Sequence, residues 1–150
     1  MTLVVMKYII AIGMLLLVSC EQDTPACFSP PEPFRGVLLD RDGNNLLSTQ
    51  RPASLALYYF RDGQKRNVPF EIAPVRSNGD SGIYSTELFW EARADTLTPF
   101  YLEADARTDT LALRTTEVSD GNCTYFTTEG FFNGQVLTLD SATGTYLLLR

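Results

Sequence analysis

The sequence contains no histidine. A His-based catalytic triad, a His-ligated metal site and an imidazole pH switch are therefore all excluded. Cysteine is scarce, with three residues, and there is one tryptophan. Positive charge is in deficit: 12 Lys and Arg stand against 18 Asp and Glu, giving a formal net charge of -6. That balance leaves no electrostatic footprint for nucleic acid, whose phosphates are held by clustered cations. No convincing amphipathic helix is present, and neither an internal repeat nor a low-complexity tract is visible. What is present is an apolar content of 45% with 20% charged residues, the balance of a folded domain rather than a disordered chain. At 150 residues the chain is one globular unit with a tail.

The first residues differ from the rest. Lys7 supplies a positive start, and Tyr8 to Val18 form an uncharged apolar run. The run is too short to span a bilayer, which needs about 20 apolar residues, and it suits a secretory h-region. It ends at Leu17-Val18-Ser19-Cys20, which resembles the bacterial lipobox. The resemblance implies cleavage before Cys20 by signal peptidase II, a diacylglyceryl thioether on Cys20 and usually an N-acyl chain. Several acyl chains anchor stably where one binds only marginally. Met6-Lys7 is a more natural start than Met1. Removing residues 1–19 leaves 131, and the loss of Lys7 takes the net charge from -6 to -7. The acidic Glu21 and Asp23 resemble a surface-export signal of Bacteroidota lipoproteins. An outer-membrane, lipid-anchored location is expected, on the periplasmic or the cell-surface face.

Two cysteines remain, Cys27 and Cys123. Outside the inner membrane a disulfide is permitted, and the simplest arithmetic pairs them; two separate buried thiols are the alternative. A bridge would close a loop of almost 100 residues, worth about 4–5 kcal/mol by chain entropy. Residues 20–33 read as the lipidated cysteine and a tether, since Pro25, Pro30, Pro31 and Pro33 favour extended backbone.

Residues 34–150 read as an all-β domain, an antiparallel β-sandwich of seven to nine short strands with a small barrel as the alternative. Apolar stretches at Phe34–Leu39, Ser54–Phe60, Val68–Ile72, Pro99–Ala104, Thr110–Thr115, Cys123–Thr128, Phe131–Leu139 and Thr145–Leu149 are separated by turn clusters. Asp62-Gly63 and Asn133-Gly134 are strong hairpin dipeptides. Pro69 points to an edge strand. Ile83–Trp90 is ambiguous between strand and short helix, and strand is favoured.

The order of lipobox, a strand ending in Asp40, Gly43, Asn45, Leu46 and Leu47, an Asp-Gly hairpin, Asp109-Thr110-Leu111, a late Cys123 and Phe132-Asn133-Gly134 is similar to small uncharacterised Bacteroidota lipoproteins with Ig-like or transthyretin-like sandwiches. The resemblance implies fold and location and carries no activity.

Candidate chemistry is sparse. Asp40 to Asn45 places oxygen ligands at alternate positions, as calcium loops do, but the bidentate Glu is missing and a plain turn is the better reading. No metal and no cofactor are expected. Asp-Thr-Leu at 95–97 and 109–111 and Asp-Ser-Ala at 140–142 are similar to the Bacteroidota O-glycosylation acceptor, which makes Thr96, Thr110 and Ser141 candidate glycan sites. Asn122-Cys123-Thr124 matches the N-glycosylation sequon only in form. Trp90, Tyr58 and Tyr84 are candidates for stacking a sugar ring. Glu87 with Glu91, and Glu103 with Asp105, are carboxylate pairs in name only, and no enzymatic activity is expected. The chain reads as a non-catalytic interaction or structural module, held to the membrane by its lipid and docking on another envelope or secreted protein. A carbohydrate-binding module is the alternative, and a hydrolase is a distant third.

Overall fold

The computed structural model describes residues 27–49, 52–121 and 123–150. The segment read above as a signal sequence, Cys20, the acidic residues after it and Asn122 lie outside the described residues. Twelve strands and two single-turn helices follow in order: β1 (Cys27–Phe28), β2 (Phe34–Leu39), α1 (Leu46–Thr49), β3 (Leu55–Arg61), β4 (Gln64–Asn67), β5 (Glu71–Pro74), β6 (Ser81–Ser85), α2 (Leu88–Glu91), β7 (Thr98–Ala104), β8 (Arg107–Asp120), β9 (Cys123–Phe132), β10 (Gln135–Val136), β11 (Thr138–Asp140) and β12 (Thr145–Leu149). They form a seven-stranded sheet in the order β1-β9-β8-β7-β3-β4, with β10 also on β9, and a five-stranded sheet in the order β11-β12-β2-β6-β5. The two sheets pack together in an open, sandwich-like arrangement.

Alternation along the strands builds the core. Leu57 and Tyr59 of β3, Phe100 and Leu102 of β7, and Leu111 and Leu113 of β8 are buried on one sheet. They meet Phe34 and Leu38 of β2, Ile83 of β6 and Leu148 of β12 in one cluster. Each fully buried side chain contributes about 1.5–3 kcal/mol relative to exposure. Leu88, Phe89 and Ala92, in and just after α2, close one end of this core.

The turn chemistry explains the chain reversals. Asp62 and Gly63, and Asn133 and Gly134, all have positive φ, the type I′ geometry that a two-residue hairpin needs. Asp40 organises its own turn, accepting hydrogen bonds from the backbone N–H of Asp42 and Asn44 and from the Asn44 side-chain amide. The Asn44 bonds hold the Asp40 carboxyl below the usual carboxylate range. That carboxylate organises the turn. Asn45 caps α1 through the N–H of Leu47 and Ser48.

The structure corrects four expectations. The sheets are mixed, not antiparallel, because β1 runs parallel to β9 and β12 runs parallel to β2. Apolar periodicity reports which face is buried and is silent on the direction of a partner strand. Among the described residues there are twelve strands rather than seven to nine, since β1, β10 and β11 are two or three residues long and leave no periodic trace. Ile83–Trp90 is not one strand. The Ser85 hydroxyl accepts from the N–H of Glu87 and Leu88 and turns the chain into α2. Val68–Ile72 is not one strand either: β4 ends at Asn67, β5 begins at Glu71, and the segment around Pro69 crosses from one sheet to the other.

Candidate functional site

One side of the sandwich is built differently from the other. On that side β9 borders the seven-stranded sheet, β11 borders the five-stranded sheet, and the chain crosses between them at Leu137. At the opposite end of β9 the chain enters through β1, then crosses over Pro30, Pro31 and Glu32 to β2. Two concavities of about 320 and 370 Å³ open along this side, and both are lined by Thr128 and Tyr146. The first also includes Pro30, Pro31, Phe89 and Phe126, and the second Gly130, Val136 and Leu137. Together they make an aromatic groove beside the β9 edge. Apolar side chains around it are uncovered: Val136 is 74% exposed and Phe28 58%, and Tyr125 and Leu139 are exposed as well. Burial, aided by the charge of Glu32, pushes the Tyr146 phenol above its ordinary pKa.

The β9 edge itself is only partly paired. Ser29 N donates to Thr124 O at 2.9 Å, and Leu137 N donates to Gly130 O at 2.9 Å. These bonds show that even-numbered β9 residues turn their backbone groups outward, as alternation in an antiparallel ladder with β8 requires. Between them lie Phe126 and Thr128. No backbone group among the described residues bonds to their outward N–H and C=O. Pro30 and Pro31 border this stretch and have no N–H to give.

The disulfide Cys27–Cys123 fixes one end of the groove, with the two Cα atoms 4.5 Å apart and facing across the β1–β9 pair. It also staples a projecting arm. β7 pairs with β8 only as far as Leu113, whereas β8 and β9 continue as a ribbon to Asp120 and Cys123. Seven further residues carry the arm about 23 Å beyond that end of β7.

A third concavity, of about 650 Å³, lies at the β3–β4 hairpin and is lined by Tyr59, Arg61, Lys65, Arg66, Asn67 and Glu91. Tyr59 donates its hydroxyl to Glu91 Oε2 at 2.5 Å, and Arg61 pairs with the same oxygen at 3.2 Å. Burial, followed by the Glu91 bond, raises the Tyr59 pKa. Glu91 is thus held by two partners. Asp105, from the other carboxylate pair, accepts from the N–H of Ala53 and Ser54.

The three stacking candidates are placed apart. Tyr58 is on the outer face of the seven-stranded sheet, stacked on Tyr101 at 5.4 Å with the Lys65 ammonium 3.6 Å from its ring centre. Trp90 packs on Phe126 with the Arg93 guanidinium over it. Tyr84 lies on the other sheet, opposite Arg35 and Glu71. The cluster that does form on one face is Tyr58, Tyr101 and the 54% exposed Phe60, of which only Tyr58 was singled out in the sequence. Among the glycan-acceptor candidates, Thr96 and Ser141 are exposed in loops, and Thr110 is exposed within β8 beside Tyr101.

Sequence reasoning missed one polar centre. Asp109 is only 2% exposed, and its carboxylate accepts from Asn133 Nδ2 at 2.9 Å and Arg150 Nε at 2.7 Å, with Arg107 Nε 3.3 Å away. This joins β8 to the residue after β12 and so clasps the two sheets. The motif around Asp109 drew attention to its neighbour Thr110, and no local pattern marks Arg150 as its partner.

No protein-family model matches the chain, and no curated protein or solved structure matches it.

Proposed function

We propose that this chain is a lipid-anchored, non-catalytic module of the cell envelope that docks on another envelope or secreted protein. Its architecture is that of the Ig-like or transthyretin-like sandwich lipoproteins its motifs resemble. The observation that carries the reading is the exposed apolar set Phe28, Tyr125, Val136 and Leu139 around the aromatic groove on one side of the sandwich. Apolar surface gathered beside an incompletely paired edge strand is what a docking site presents. The lipobox supports attachment through Cys20, and the mature charge near -7 supports solubility of the anchored domain.

The test is site-specific photocrosslinking in the native host. A photoreactive residue at Tyr125 or Val136 is expected to give a discrete higher-mass adduct. The same residue at Phe60, on β3 and three strands away from β9, is expected to give none. Adducts from Phe60 alone would instead favour the glycan-binding alternative or a different face. That second reading rests on the Tyr58, Phe60 and Tyr101 cluster.

A further inference from the structure

We infer that the partner docks by strand addition: a short extended segment of another protein pairs with β9 at Phe126 and Thr128 and lays alternate side chains into the groove before Tyr146. This inference rests on the interaction-module reading and names its mode and the chemistry of its ligand.

Three observations carry it. First, the outward N–H and C=O of Phe126 and Thr128 have no backbone partner among the described residues, while the residues on either side of them, Thr124 and Gly130, are bonded. A strand edge interrupted in this way is a template for one more strand, whose main chain supplies affinity while pockets for alternate side chains supply specificity. Second, the gap is short. Thr124 to Gly130 spans about 20 Å at 3.3 Å per residue. β1 blocks one end and β10 the other. In a two-fold dimer a second copy of this chain would have to bring its own β9, which is ten residues long, alongside the same edge. The flanking strands leave no room for that, so the occupant is a segment of four or five extended residues that turns away at both ends. Third, the groove specifies side chains. Phe89, Phe126 and Tyr146 line its floor, which takes apolar side chains. Glu32 sits on its rim, in a chain with a net charge of -6, whereas Glu129 beside the second concavity is already paired with Arg114 at 2.7 Å. The segment is therefore apolar at alternate positions, with a Lys or Arg facing Glu32.

The test pans phage-displayed random linear heptapeptides against the full-length chain in detergent micelles. Enriched peptides are expected to alternate apolar residues and to carry a basic residue. Methylating alternate backbone nitrogens of an enriched peptide is expected to weaken its binding at least tenfold, because the added methyl removes a ladder donor. Thr128→Pro, which removes an edge N–H at a position where proline is tolerated, is expected to weaken it comparably. In the isotope-labelled chain the Phe126 and Thr128 amides are expected to shift on binding. The inference is overturned if no peptide is enriched, or if binding ignores both backbone N-methylation and Thr128→Pro. Amide shifts confined to Tyr58, Phe60 and Tyr101, or a dimer that protects Phe126 and Thr128 without peptide, overturn it as well. The backbone-methylated peptides keep the test decisive if Thr128→Pro fails to fold. Crosslinks from Tyr125 and Val136 that persist alongside such a negative result would leave the interaction module standing and remove only strand addition.

Discussion

Asp109 shows how two arginines on one carboxylate differ in weight. Arg150 is mostly enclosed, at 13% side-chain exposure, whereas Arg107 is 58% exposed. Removing one partner of a buried ion pair strands the other charge in a medium of low dielectric. Arg150→Ala is expected to lower unfolding free energy by about 3 kcal/mol. Arg107→Ala is expected to cost less than about 1 kcal/mol, because solvent screens the exposed pair. Urea denaturation of the two variants checks the ordering, and equal losses would refute the clasp. Tyr59 and Tyr146 supply a pH test. Burial raises both phenols above their ordinary value, so the folded state favours their protonated form. A raised folded pKa means that their contribution is complete below about pH 10 and is lost as pH rises through the raised value. Alkaline difference absorbance is expected to show the Tyr59 and Tyr146 phenols ionising above the ordinary value near 10, with stability falling in the same range. Ionisation of both phenols at the ordinary value would count against the Glu91 and Glu32 environments.

At the scale of elements, local chemistry was legible and pairing was not. Asp62-Gly63 and Asn133-Gly134 form hairpins as their positive φ values demand. The alternation of Leu55, Leu57 and Tyr59 faces the core as read. The parallel partnership of β12 with β2 joins residues more than 100 positions apart, and no periodicity encodes it. The groove was illegible for the same reason: Tyr146 and Phe126 line one concavity only because the two sheet borders come together. The triple apolar run Leu88-Phe89-Trp90 was ambiguous in isolation, and what resolves it is a single hydroxyl, that of Ser85. The disulfide was legible from cysteine arithmetic, with its alternative. It joins residues 96 positions apart, and its removal is expected to cost about 2–5 kcal/mol. Cys27→Ser with Cys123→Ser, compared with the oxidised parent in guanidinium, measures this. An unchanged midpoint would mean that the bridge does not restrain the unfolded chain.

For the whole molecule, the proposed anchor and the fold bear on placement together. Six residues, 21–26, separate Cys20 from Cys27, a reach of at most about 25 Å. A lipid on Cys20 would therefore keep the stapled end of the β8–β9 arm within that reach of the membrane. Cys20→Ser is expected to move the protein from the membrane fraction to the soluble one, and to abolish incorporation of labelled palmitate. Retention in the membrane without label would refute the lipobox reading. The groove then runs along the flank of the anchored domain, reachable by a protein beside it.

The most direct measurement is hydrogen exchange, residue by residue, across β9 in the purified full-length chain. Tyr125, Thr127 and Glu129 face β8 and are expected to be protected, whereas Phe126 and Thr128 are expected to exchange orders of magnitude faster. That alternation within five consecutive residues is the signature of an open edge. Uniform protection from Tyr125 to Glu129 would show the edge already occupied and contradict the proposed docking site.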